Sequence, residues 1–118
     1  EAMFESALDV GGDLVMLVTF EGSITCMEQE FAEMKTARGS DVSLRTVLVE
    51  GAREAIDRGD AETHNHLIAE AAADIGACSA VLLAHFSMDR ARADVAASVS
   101  VPVLSPPSES VTQLSKVL

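Results

Sequence analysis

Ala80-Val-Leu-Leu-Ala-His85-Phe86-Ser87-Met88 is an uncharged, mostly apolar run that stops at a histidine and a serine. A buried strand that delivers polar groups at its C-terminal end is how an open parallel sheet builds a ligand crevice. An imidazole there, with an ordinary pKa near 6.5, can give or take a proton at neutral pH. His85 is therefore the candidate catalytic acid or base, with Phe86 and Ser87 as candidate ligand contacts. The plainer reading is a histidine packed at a strand end and hydrogen-bonded to backbone.

Thr19, Gly22 and Ser23 form a second candidate group. They follow an apolar run, Leu14 to Thr19, and precede a helical pattern. Hydroxyls and free amides at a helix start can hold a substrate carboxylate without any Lys or Arg. Equally, Ser23 and Thr25 can serve only as helix caps, and Thr25 with Glu28 has the spacing of a capping box. Cys26 falls in the first turn of that helix, where a thiol pKa is lowered, and otherwise reads as a small buried or half-buried residue. Cys78 precedes the third strand and belongs at the end remote from the crevice.

His64 and His66 are two positions apart, about 200° around a helix axis, which argues against a joint metal site. Nucleotide binding has no support, because the chain carries neither a G-x-G-x-x-G turn nor a phosphate loop ending in Lys-Ser/Thr. Arg90 and Arg92 read as solvated helix residues, Arg90 near enough to the crevice to meet a carboxylate.

The elements that must position these groups alternate between strand and helix. A short helical segment, Ala2 to Leu8, ends at Gly11-Gly12 and leads to the first, central strand. A helix follows with Met27, Phe31 and Met34 at helical spacing, ending at Arg38-Gly39. The strand near Ser43 to Val49 carries Arg45 and Thr46, which suits a sheet edge. A short helix stopping near Gly59 precedes a longer one capped by Asp60, with Leu67, Ile68, Ala71 and Ile75 on one face and Gly76 as its stop. After the strand through Leu82 and Leu83 comes a helix around Asp89 to Ala97. The strand Val101 to Leu104 is outer, because it contains Pro102. A last helix capped by Ser108 buries Val111, Leu114 and Val117 or Leu118.

The chain of 118 residues suits one domain spanning 1–118. It is 48% apolar and only 3% aromatic, so aliphatic packing dominates, as in buried parallel strands with Ala-rich helices. The expected fold is α/β, a single three-layer lobe with about four parallel strands flanked by helices. A net charge of -11 repels phosphate backbones and anionic membranes, which argues against nucleic acid or membrane as a partner. Two cysteines without disulfide or metal spacing suit a reducing cytoplasm. No run approaches the roughly 20 apolar residues of a membrane span, and the first residues lack a basic signal region.

Taken in order, several segments resemble the C-terminal lobe of the Asp/Glu/hydantoin racemase family. They are Val15 to Thr19 with its Gly-Ser turn, Leu48 to Ala52, Gly59-Asp60 with Thr63-His64, Leu82 to Met88 and Val101 to Ser105. The resemblance implies a racemase-like lobe with a four-stranded parallel sheet, an active site between two lobes and no metal or pyridoxal cofactor. It implies proton transfer at the alpha carbon of a small amino-acid-type carboxylate, between two cysteines on opposite faces. Thr19, Gly22, Ser23, Phe86, Ser87 and Ser105 would then contact substrate. The chain departs from that pattern where the family's second cysteine stands in an Ala-Cys-Thr-type motif. Ala84-His85-Phe86 occupies the place, so an imidazole replaces the thiol, and Cys26 matches neither family cysteine.

Two further readings stand beside an isomerase of this kind. One is a non-catalytic carboxylate-binding or oligomerisation domain that lost its thiol and covers the docking face of the first lobe as a homodimer. The other, a flavodoxin-like signalling domain, ordinarily shows an acidic cluster after the first strand, where this chain has Thr19-Phe20-Glu21.

Overall fold

A computed structural model describes residues 2–105. The expected last helix from Ser108 therefore lies outside the described residues. Helix α1 (Ala2–Val10) precedes strand β1 (Asp13–Val18). A 3-10 turn, Glu21–Ser23, then leads into α2 (Ile24–Arg38) and β2 (Ser43–Leu48). Helices α3 (Ala52–Asp57) and α4 (Ala61–Ala73) come next, followed by β3 (Ala80–Leu83). A 3-10 segment, Phe86–Ala91, joins β3 to α5 (Arg92–Ser98), and β4 (Val103–Leu104) closes the series.

The four strands form one parallel sheet in the order β2-β1-β3-β4. Both inner strands are apolar: β3 is buried at all four positions and β1 at every position after Asp13. A parallel strand covered on two faces has no solvent side, so it cannot alternate apolar with polar residues. The two edge assignments follow from their polar content and proline. Arg45 and Thr46 reach out of β2, with Arg45 donating to the Ile75 carbonyl at 2.6 Å and Thr46 to Glu28 Oε2 at 2.6 Å.

Alternate residues of the inner strands divide the core between two faces, as the two-residue period of a strand requires. Leu14, Met16, Val18 and Leu82 pack with Met3, Phe4 and Phe31 of α1 and α2. Val15, Leu17, Val81 and Leu83 pack with Ile68 and Ala72 of α4, and with Met88 and Val95. The result is three layers.

Local signals place most helix ends. Gly39 sits in left-handed conformation at φ 64 after α2, and its N–H bonds back to the last turn. Asp60 caps α4, its side chain accepting from the Thr63 N–H at 3.1 Å. The buried stripe of α4 centres on His64, Ile68 and Ala72, with Leu67 and Ala71 only half-buried. That face is displaced by one position from the expected one.

The capping box does not form. Thr25 lies inside α2 and the Glu28 carboxylate accepts from Thr46 instead. A hydroxyl on the neighbouring strand competes successfully for the carboxylate. The helix expected around Asp89 to Ala97 is likewise divided, its first part being wound as 3-10.

Candidate functional site at the strand ends

Strand order decides where a crevice can lie. From β1 the chain moves outward to β2, then crosses back past β1 to β3. The order of connections therefore reverses between β1 and β3, and the C-terminal ends of those two strands flank the switch point at which open α/β sheets bind ligands. Thr19 to Ser23 leave β1 there, and Ala84 and His85 leave β3. The ladder carries on slightly beyond the strands, with the Ala84 N–H donating to the Leu17 carbonyl at 3.0 Å. His85 is thus held by sheet register, not by a free loop.

Ser23 Oγ lies 3.2 Å from His85 Nε2. The same hydroxyl donates to the Phe20 carbonyl at 2.8 Å and makes no helix-cap bond. Ser23 thus serves the strand-end cluster and not the helix. The half-buried imidazole has its pKa pushed below the usual value, first by burial and then by the positive charge of Arg53. Both effects favour the neutral imidazole at pH 7.

Arg53 is a further cation at these strand ends. It lies in the first turn of α3, just beyond β2, and its guanidinium stands 4.2 Å from the centroid of the Phe20 ring. Its acidic neighbour, Asp57, is 3.9 Å away and largely solvated. Such an exposed, loosely paired contact is weak, which leaves the guanidinium able to meet another carboxylate. Its sequence signal is a basic residue just after the strand-end Glu50-Gly51, in contrast to Arg90 and Arg92, the cations singled out above. Of those two, Arg90 is exposed, and Arg92 is half-buried with its guanidinium donating to Ser105 Oγ at 3.1 Å.

Phe20, 46% exposed, covers Gly22 closely: a Cβ at Gly22 would come within 2.7 Å of the ring. Only glycine permits the ring to lie there and present its face to Arg53. Thr19 is half-buried beside this turn. Thr19, Gly22, Ser23 and His85 are therefore brought together at the C-terminal ends of the two inner strands. Ser105 is fully buried and engaged by Arg92, so it anchors the end of β4. The side chains of Phe86 and Ser87 lie outside the described residues.

No family model, no curated protein and no solved structure matches this chain.

The remaining candidates stand in other surroundings. Cys26 is exposed, not buried, and Cys78 is half-buried with its thiol pKa raised chiefly by burial. His64 is buried, with Nδ1 2.9 Å from Asn65 Oδ1, whereas His66 is exposed and pairs with Glu70 at 3.2 Å. No cluster of three metal-binding side chains occurs among the described residues. No helix among them is long and apolar enough to cross a membrane. A groove of about 530 Å³ lies along α4 and α5, lined by Glu62, Thr63, His66, Asp94 and Ser98. It shares no lining residue with the Ser23–His85 cluster.

Proposed function

We propose that this chain is a racemase-like lobe that binds a small amino-acid-type carboxylate at the ends of β1 and β3 and exchanges the proton on its alpha carbon, with His85 as the base. The observation that carries the reading is the Ser23–His85 contact of 3.2 Å at the switch point of the sheet. A neutral imidazole is the form that can accept a proton, and burial together with Arg53 favours that form.

The ligand carboxylate pairs with Arg53, a cation at these strand ends, with Thr19 as a further contact. Fixing the carboxylate orients the alpha carbon toward His85, and a cation nearby stabilises the negative charge that develops as the proton leaves. The roles are thus divided between an imidazole that moves the proton and a guanidinium that holds the charge. No metal or organic cofactor is invoked. Inversion at carbon requires a second acid on the opposite face, whereas exchange with solvent requires only one base. Exchange with retention is therefore the activity expected from these residues alone.

The test is deuterium incorporation at the alpha carbon in deuterated water, followed by NMR, for aspartate, glutamate, hydantoins and substituted malonates. Exchange that disappears in His85→Ala supports the reading. A folded protein that binds these carboxylates without exchanging any of them would overturn the catalytic role and favour a binding module.

A further inference from the structure

We infer that Ser23 is a positioning residue that fixes the His85 imidazole as its Nε2–H tautomer, so that Nδ1 is the nitrogen that takes the substrate proton. The assignment of Nδ1 as the reactive atom rests on the proposed proton-transfer function, while the tautomer stands on geometry.

A serine hydroxyl has one hydrogen. Ser23 Oγ is 2.8 Å from the Phe20 carbonyl oxygen, which can only accept, so the hydrogen must lie between them. That carbonyl is itself held in a tight turn, since it also accepts from the Ser23 N–H at 3.1 Å. The turn thereby locks the serine rotor locally. What Ser23 offers His85 at 3.2 Å is a lone pair, and an imidazole nitrogen can satisfy it only as N–H. The reverse arrangement, with Ser23 donating to Nε2, would leave two oxygen lone pairs facing each other across 2.8 Å.

A neutral imidazole carrying its hydrogen on Nε2 has its free lone pair on Nδ1. Among the described residues, Nδ1 has no hydrogen-bond partner. The fixed tautomer therefore presents one base atom and withholds the other. It also means that Ser23 is not an activated nucleophile, because its proton is committed to backbone and not to the imidazole.

Long-range nitrogen–proton correlation NMR on protein with labelled histidine reads the tautomer directly at pH 8. His85→Gln identifies the His85 signals among the three histidines. The expected spectrum shows a protonated Nε2 and a bare Nδ1. In Ser23→Ala both nitrogens move toward intermediate shifts as the second tautomer becomes populated, and Ser23→Thr restores the original pattern. If the freed ring spends half its time in the wrong tautomer, exchange at saturating substrate falls about two-fold. A bare Nε2 with a protonated Nδ1 in the unmutated protein would overturn the inference, whatever the variants do. Absence of substrate exchange with the expected tautomer would instead remove the proton-transfer reading and with it the role assigned to Nδ1.

Discussion

Ser23 and His85 stand 62 positions apart in the chain, yet Oγ and Nε2 meet at 3.2 Å across the ends of two adjacent strands. Because burial and Arg53 lower the pKa of His85 in the folded protein, the unfolded chain binds a proton first as pH falls. Above about pH 7.5 both states are neutral and the shift contributes nothing to pH dependence. Stability is expected to decline as pH drops through about 6.5 toward the lower folded pKa. Thermal unfolding from pH 8 to pH 5 checks this against His85→Gln, which should lose less stability over that range. Parallel curves for the two proteins would contradict the shift.

Arg53 acts on His85 by charge and, in the function proposed above, on a ligand by pairing. In Arg53→Gln the imidazole pKa should rise toward its usual value, as an NMR titration of the ring protons will show. Malonate, as a probe carboxylate, should bind about tenfold or more weakly, in line with the loss of a charge-assisted hydrogen bond. Calorimetric titration measures the second effect. Equal affinity in the two proteins would remove Arg53 from the site.

Asp60 caps α4 by accepting from the Thr63 N–H, and its pKa is lowered first by hydrogen bonding with the Thr63 side chain and then by this backbone bond. An ionised cap stabilises the fold above the unfolded carboxyl pKa and is lost as pH falls through the folded one. Asp60→Ala should lower the melting temperature at pH 7, whereas Asp60→Asn, which retains an acceptor oxygen, should lower it less. The gap between unmutated protein and Asp60→Ala should narrow as pH approaches 3. A constant gap would mean the cap contributes nothing through its charge.

Phe4 and Phe31 stack with ring centroids 5.3 Å apart, and both are buried. Their contact fastens α1 to α2 over one face of the sheet. Phe31→Ala should cost about 3–5 kcal/mol in denaturant unfolding. A double-mutant cycle with Phe4→Leu and Phe31→Leu should give a coupling of about 0.5–1.5 kcal/mol. Additive effects would show that the rings fill space independently.

Much of the architecture was legible because it depends on neighbours within a few positions. The apolar runs of β1 and β3 announce strands covered on both faces, while Arg45 and Pro102 mark the two edges. Gly39 and the Asp60–Thr63 pair end and begin helices through bonds that span three to five residues. His64 and His66 are assigned to different sides by the helical period alone, and His85 by the abrupt end of an apolar run.

The site's connections depend on distances that no local pattern encodes. Sequence by itself determined most of the elements described and which residues stand at strand ends. Only the tertiary structure decided that Ser23 faces His85, that Arg53 lies over Phe20, that Glu28 serves Thr46 instead of Thr25, and that Ser105 is buried against Arg92. Helix caps and hydrophobic periods are short-range consequences of backbone geometry. By contrast, the choice among competing polar partners is made by strand order and register, which bring remote segments within hydrogen-bonding reach after the core has packed.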